Sequence, residues 1–124
     1  MGYILVFIGG GIGATLRHGV NRASLIYIGA GFPYGTLIVN VVGGLLMGVL
    51  AGLFLLKTGV GEGTRLFLAT GVLGGFTTFS AFSLDAALMW QRGEYAPLVV
   101  YVVGSVVLSI AAVALGLGTV RSLT

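Results

Sequence analysis

The sequence predicts an all-α membrane protein with a single transmembrane domain, residues 1–124, and three observations support this. Hydrophobic residues make up 57% of the chain and charged residues only 7%, whereas soluble domains carry roughly 25% charged residues. Uncharged runs of about 20 residues recur, which is the length that a helix needs to cross a bilayer. A chain inside lipid must also satisfy its own backbone hydrogen bonds, and this favours helices over strands.

The first span is predicted over residues 2–19, and Arg17 and His18 mark its end. No basic region precedes the apolar run, so we expect it to stay in the protein as a helix rather than to be cleaved as a signal peptide. Residues 20–33 follow as an apolar connection that contains two glycines and a proline near its end. These residues disfavour a continuing helix.

The second span is predicted over residues 34–56 and is closed by Lys57. The third covers residues 64–90, and the glycine pair Gly74–Gly75 predicts that this helix is broken near its middle. The fourth covers residues 95–120 and is followed by an arginine.

Glycines recur four residues apart in the first three spans, which places a smooth groove on one face of each helix. They are Gly9 and Gly13, then Gly44, Gly48 and Gly52, then Gly71 and Gly75. This spacing predicts close helix packing and needs no chemical role for the glycines.

Basic residues divide evenly between the two sides of the membrane. With four spans, one side carries Lys57, Arg65 and Arg121, and the other carries Arg17, Arg22 and Arg92. The positive-inside rule therefore selects neither orientation. Either other features set a single orientation, or the chain inserts both ways and pairs as an antiparallel, dual-topology homodimer. The net charge of +3 is too small and scattered for a nucleic-acid partner.

Polar side chains inside the spans are the candidates for function, because polarity is costly in lipid. The fourth span has a stripe of hydroxyls at every fourth residue, formed by Tyr101, Ser105 and Ser109. Asn40 offers amide donors, and Phe79 and Phe82 can present the positive edges of their rings. Neutral donors with few fixed charges favour a small anion over a cation as the permeating species.

The broken third helix points separately to a cation. The segment from Gly74 to Thr78 would free backbone carbonyls from their usual helical partners. Broken membrane helices can bind a cation such as Na⁺ through such carbonyls. In an antiparallel dimer, the two breaks would meet on the symmetry axis.

The sequence offers no catalytic constellation. It has no cysteine and a single histidine, His18, without an acid nearby. The glycine-rich stretch Gly9–Gly13 lies inside a spanning run with no strand before it, so it is not a dinucleotide-binding motif. We therefore expect no enzymatic activity.

Four stretches of the sequence resemble the Fluc (CrcB-type) fluoride channel family: "GATLRHGVNR", "GTLIVNVVGG", "GVLGGFTTFSAFSLD" and "YVVGSVVLS". The resemblance extends over all four spans. It implies an antiparallel homodimer in the cell's inner or plasma membrane, with two fluoride pores and a central structural Na⁺. It also implies passive export of cytoplasmic fluoride, which reduces fluoride toxicity.

The resemblance further implies roles for individual residues. Phe79 and Phe82 would face fluoride with their ring edges, and Asn40 would be the pore asparagine. The remaining polar track would consist of Thr36, Ser80, Ser83, Asp85, Tyr101, Ser105 and Ser109.

Three further residues take roles outside the pore by the same resemblance. The backbone carbonyls of Gly74 and Thr77, from both subunits, would hold the Na⁺, and Arg17 would stand near the entrance vestibule. Two positions depart from the common pattern of the family: Asp85 stands where Glu is frequent, and Ala81 where a hydroxyl residue is frequent.

Two other functions remain as alternatives. A small dual-topology multidrug or cation antiporter needs a membrane-embedded carboxylate, and the first span has none. A non-selective structural membrane protein would pass large solutes or nothing. Transport of fluoride against chloride separates these functions from a fluoride channel.

Overall fold

The chain forms four long helical segments in a computed structural model that describes residues 2–56 and 60–123. Within these residues, four segments are long and apolar enough to cross a membrane, which confirms the predicted four-span helical architecture. They run over Gly2–Tyr27, Tyr34–Leu55, Glu62–Gln91 and Tyr95–Leu123. Lys57, predicted to close the second span, lies outside the described residues.

The individual helical elements follow the predicted order. They are α1 (Gly2–Tyr27), α2 (Tyr34–Leu56), α3 (Glu62–Arg65), a π-helical segment (Leu66–Leu73), α4 (Gly74–Phe76), α5 (Phe79–Gln91) and α6 (Tyr95–Leu123). The third span begins at Glu62 and ends at Gln91, close to the predicted residues 64–90, and such small differences are usual at helix ends. The fourth continues through Leu123, three residues past its approximate predicted end.

The first helix is longer than predicted. It runs to Tyr27 rather than to residue 19, so Arg17 lies well inside α1 and not at its end. The helix stops where Gly29 adopts a φ of 123°, a conformation that glycine takes more easily than other residues. The backbone N–H groups of Ile28 and Gly29 both donate to the carbonyl oxygen of Ser24, each at 2.9 Å, and complete the last turn.

The predicted break in the third span is confirmed. Thr77 and Thr78 have extended backbones, with ψ angles of 156° and 122°, between α4 and α5. The hydroxyl of Thr78 accepts a hydrogen bond from the backbone N–H of Ala81 at 3.1 Å, so Thr78 is the N-cap of α5. The helix therefore restarts immediately after two extended residues.

Glycines mediate the helix contacts as their spacing predicts. The face of α1 that carries Gly9 and Gly13 packs against the π-helical segment and α4, and α2 packs mainly against α6. A Cβ added to Gly9 would lie 2.6 Å from the carbonyl oxygen of Phe67, and one added to Gly44 would lie 2.9 Å from that of Ser109. Both distances are too short for a side chain, so the backbones touch directly at these positions.

The buried interior of the single chain is small and is formed by side chains of α2, the broken third span and α6. Its largest fully buried side chains are Tyr101, Met89 and Val39. Many apolar side chains are exposed, as expected for helices in lipid. Phe79, beside the helix break, is 78% exposed although it lies in the middle of the third span.

Candidate functional site

Asn40 of α2 bridges the break in the third span. Its Nδ2 donates to the carbonyl oxygen of Thr78 at 3.0 Å, and its Oδ1 accepts from the backbone N–H of Thr78 at 2.8 Å. Asn40 thus supplies both partners that the helix would otherwise give to Thr78. A primary amide has two donor hydrogens, so the second N–H of Asn40 remains available to a ligand.

The carbonyl oxygens before the break have different surroundings. Leu73 accepts from both the N–H and the hydroxyl of Thr77, each at 3.0 Å, and Gly75 accepts from Nε of Arg17 at 3.1 Å. The carbonyl oxygens of Gly74 and Thr77 receive no hydrogen bond from the described part of the chain. These two oxygens are the pair predicted to face a cation.

The described residues show no cluster of acidic or histidine side chains that could hold a metal ion. Among residues 2–56 and 60–123, no group of three or more His, Cys, Asp or Glu side chains could hold a metal ion. A cation held by the carbonyl oxygens of Gly74 and Thr77 would instead use neutral oxygen ligands, which suit a hard ion.

A pocket of about 380 Å³ lies directly beside the break, and we call it the break pocket. Its lining includes five of the predicted pore residues, Asn40, Phe79, Phe82, Ser105 and Ser109, together with Thr77, Thr78, Val106 and Ile110. Residues from three spans, distant in sequence, thus meet around one space. The structure brings the predicted donors and the predicted ring edges together.

Ser105 contributes a buried, unpaired hydroxyl to the break pocket. Its side chain is only 5% exposed, and its Oγ has no hydrogen-bond partner among the described residues. An unsatisfied buried hydroxyl costs about 1–3 kcal/mol, so such groups are rare without a ligand or a water molecule. The Ser105 hydroxyl therefore marks a position where a bound hydrogen-bond acceptor would be stabilised.

Aromatic rings continue from the break pocket toward the connection between α1 and α2. The centroid distances are 5.6 Å from Phe79 to Phe82, 5.1 Å from Phe82 to Tyr101 and 5.5 Å from Tyr101 to Phe32. We call these four residues the aromatic row. Phe32 was not predicted, because its edge-on contact with Tyr101 is not evident from the sequence.

Tyr101 links the aromatic row to the only acidic residue predicted in the site. Its hydroxyl donates to Oδ2 of Asp85 at 3.0 Å. Thr36, also buried, lies next to the same phenol. Three of the predicted polar-track residues therefore form one cluster at the end of the aromatic row.

A second cavity of about 250 Å³ lies beyond this cluster, and we call it the connection chamber. It is lined by Asn21, Ser24, Leu25, Gly29, Phe32, Pro33, Tyr34, Gly35, Thr36, Ala81 and Asp85. The polar residues Asn21 and Ser24 were missed by sequence reasoning. Their near one-turn spacing would have pointed to a shared face only if α1 had been extended past residue 19.

Three predicted site residues lie elsewhere in the single chain. Ser80 and Ser83 are exposed and line neither cavity, although Oγ of Ser80 is 3.3 Å from Oγ1 of Thr78. Their place in a polar track stays a prediction. Arg17 lies well inside α1 and donates to the carbonyl of Gly75 beside the break, so its predicted position at the end of the first helix is wrong. Its place near an entrance vestibule stays a prediction.

Comparison with known proteins gives one consistent result. The chain matches the family model of the CrcB-like protein, Camphor Resistance (CrcB), over residues 4–117. It is 52% identical, over the full length of both chains, to a protein of Rhodopseudomonas palustris (strain BisB5) named "Fluoride-specific ion channel FluC". It is 50% identical, again over both full lengths, to "Fluoride-specific ion channel FluC 2" of Nitrobacter hamburgensis. A relative from Hyphomonas neptunium is 50% identical over 97% of this chain and 95% of its own.

Proposed function

Because this chain belongs to the CrcB-like family, we propose that it is a fluoride-selective channel of the plasma membrane that lets cytoplasmic fluoride leave the cell passively. Such a leak lowers the internal fluoride concentration and with it the toxicity of the ion. The observation that carries the proposal is the break pocket, where the buried, unpaired hydroxyl of Ser105 faces the same space as Asn40 and two phenylalanines.

The chemistry of the break pocket suits a small anion that must give up water. Fluoride is small and strongly hydrated, so a pore has to replace its water with other hydrogen-bond donors. The Ser105 hydroxyl and the free N–H of Asn40 are such donors, and the ring edges of Phe79 and Phe82 carry partial positive charge. Neutral groups hold the ion weakly enough to release it, which conduction requires.

We assign the other predicted pore residues to the same anion path. Ser109 lies one turn from Ser105 on α6, and both line the break pocket. Farther along the aromatic row, the hydroxyl of Tyr101 donates to Asp85, and Thr36 lies next to the same phenol.

Three more residues complete the proposed path. Ser80 and Ser83 would supply hydroxyls from the exposed face of α5, and Arg17 would add positive potential beside the break.

We propose further that two chains pair in opposite orientations. A single chain leaves Phe79 mostly exposed at the centre of a span and leaves the break pocket open on that side. A second subunit would provide the missing wall. With Arg17 inside α1, three basic residues remain toward one side of the membrane and two toward the other, and this nearly even division agrees with insertion in both orientations.

Na⁺ is the proposed structural cofactor at the centre of this dimer. The carbonyl oxygens of Gly74 and Thr77 receive no hydrogen bond from the described residues, and two subunits would supply four such oxygens. Four neutral oxygens fit a hard monovalent cation, which would offset the cost of leaving them unpaired inside the membrane. The bound ion would supply positive charge on the dimer axis.

The purified dimer is expected to unfold at a higher temperature in NaCl than in N-methyl-D-glucamine chloride of equal ionic strength. An ion that binds only the folded state stabilises it by about 2.7 kcal/mol when present at 100 times its dissociation constant. Thermal unfolding followed by size-exclusion chromatography measures both the shift and the assembly state. Equal unfolding temperatures in the two salts would argue against the Na⁺ site, and a monomeric elution volume against the dimer.

Liposomes that contain the protein are expected to release fluoride, and not chloride, down a concentration gradient when valinomycin balances the charge with K⁺. Ion-selective electrodes measure both ions. Equal release of the two ions would indicate a non-selective pore. Release of neither ion would end the proposal.

In the same assay, Phe82→Ile tests the role of the ring edges. It replaces a ring that lines the break pocket with an aliphatic side chain, so we expect fluoride release to fall about tenfold while the dimer remains intact. Phe7→Ile is the matched control, because Phe7 is 82% exposed and lies outside the aromatic row.

A further inference from the structure

We propose that the anion path continues past the aromatic row into the connection chamber, where Asn21 and Ser24 form a second site for a small anion near the membrane surface. This inference rests on the proposed function and extends it. It assigns a role to two residues of α1 and to Phe32 in the connection that follows α1.

The first argument is that a single buried residue separates the two cavities. Tyr101 lies between them: its ring contacts Phe82 of the break pocket at 5.1 Å and Phe32 of the connection chamber at 5.5 Å. Its hydroxyl bonds to Asp85, which lines the connection chamber. In this proposal, an ion leaving the break pocket passes Tyr101 and enters the chamber next.

The second argument concerns the donors in the chamber. Ser24 is only 6% exposed, and its hydroxyl makes no hydrogen bond within the described part of the chain. The amide of Asn21 likewise has no hydrogen-bond partner there, and Thr36 supplies a third polar group. An anion that leaves the ring edges needs such donors while it regains its water.

Gly35 makes room for one of these donors. A Cβ added to Gly35 would overlap Oδ1 of Asn21 and would lie 3.0 Å from its Cα. Because glycine has no side chain, α1 and α2 approach closely at this point and the amide lies at the edge of the chamber. The first residues of "GTLIVNVVGG" therefore shape the chamber, while Asn40 in the same stretch bridges the helix break.

The charges around the chamber favour passage over tight binding. Asp85 lines it and also lines an adjoining cavity of about 220 Å³, which reaches Arg92. Nε of Arg92 in turn donates to Glu94. The donors that face the chamber are neutral and a carboxylate lies beside them, so an anion would be held only weakly, as conduction requires.

The position of the chamber makes it accessible to water. Ser24 lies in the last turn of α1, and the chamber is bounded by the connection that ends at Pro33, directly before α2. Segments between spans lie at the membrane surface. A water-soluble reagent should therefore reach Ser24, although this side chain is covered by protein.

The sequence contains no cysteine, so Ser24→Cys introduces a single thiol for labelling. Sulfonatoethyl methanethiosulfonate is negatively charged and does not cross membranes. The thiolate attacks its sulfur, forms a mixed disulfide and releases methanesulfinate. The purified protein is labelled in detergent before reconstitution, so that residue 24 of both antiparallel subunits can react. We expect Ser24→Cys to be labelled and its fluoride release from liposomes to fall at least tenfold on labelling, because the label fills the chamber with a like charge.

Ser122→Cys is the matched control, since Ser122 is exposed near the end of α6 and lines neither cavity. It should be labelled without a change in fluoride release. If Ser24→Cys does not fold as the parent does, Asn21→Cys replaces it, with the same expected result.

The outcomes separate this inference from the proposed function. A thiol at residue 24 that stays unlabelled, or one that is labelled while fluoride release is unchanged, overturns the chamber site and leaves the channel proposal intact. A parent protein that releases no fluoride overturns the proposed function and the chamber site together.

Discussion

Asn40→Asp is expected to reduce fluoride release at least a hundredfold while leaving the protein folded. The substitution keeps the shape of the side chain but removes the Nδ2 donor that bonds to the carbonyl of Thr78 at 3.0 Å. It also places a negative charge in the lining of the break pocket. Two like charges 4 Å apart repel by about 4 kcal/mol at an effective dielectric constant of 20, and each 1.4 kcal/mol lowers a rate about tenfold.

Fluoride efflux from liposomes measures this effect. Gln91→Glu is the matched control, because it makes the same change from amide to carboxylate at the exposed end of α5, away from the break pocket. Fluoride release by the Gln91→Glu variant should remain within about twofold of release by the parent. If the folded Asn40→Asp dimer released fluoride at the parental rate, Asn40 would have no role in the pore and would only bridge the helix break.

Where the sequence predicted the fold correctly, the signal was local. The second span is a long apolar run, and the structure gives α2 the predicted bounds. The break at Thr77–Thr78 follows directly after a glycine pair. The end of α1 was missed because Arg17 and His18 look like the charged residues of a helix terminus. The helix continues past them, and the side chains of Asn21 and Ser24 line a cavity inside the fold that also depends on α2 and α5.

In the candidate site, too, the sequence predicted only the features that depend on local spacing. The spacing of Tyr101, Ser105 and Ser109 placed them on one face of α6, and Ser105 and Ser109 do line the break pocket. No spacing rule joins Phe32 to Tyr101, because these residues lie on different elements and meet only after the helices pack. Contacts of this kind need the tertiary structure, and Phe32 and the connection chamber could not have been derived from helical periodicity alone.

Arg17 was predicted at the end of the first span, and the structure places it well inside α1. An ionisable residue at this depth is costly unless it has a partner. Its guanidinium bonds to the carbonyl of Gly75, one of the carbonyls affected by the helix break. The charge is therefore stabilised by a backbone group that an unbroken helix would not offer, and this group cannot be recognised from the sequence of α1.

Gly13→Val is expected to prevent stable folding of the chain. A Cβ at Gly13 would overlap the carbonyl oxygen of Val72 and lie 2.7 Å from the backbone nitrogen of Phe76. These are backbone atoms, so α1 would have to move away from the π-helical segment and α4. Overpacking costs about 1–3 kcal/mol at ordinary sites, where side chains can shift, and more is expected where only backbone can yield.

The displacement would also reach the functional site, because Arg17 lies one turn beyond Gly13 and bonds to Gly75 at 3.1 Å. Gly19→Val is the matched control: it lies on the same helix, carries the same cost in helix propensity, and has no atom within 4 Å of the added Cβ. The yield of monodisperse protein and the unfolding temperature measure the difference. We expect Gly19→Val to behave nearly as the parent and Gly13→Val to aggregate or to unfold at a much lower temperature. Equal behaviour of the two variants would mean that α1 does not need direct backbone contact to hold the broken helix in place.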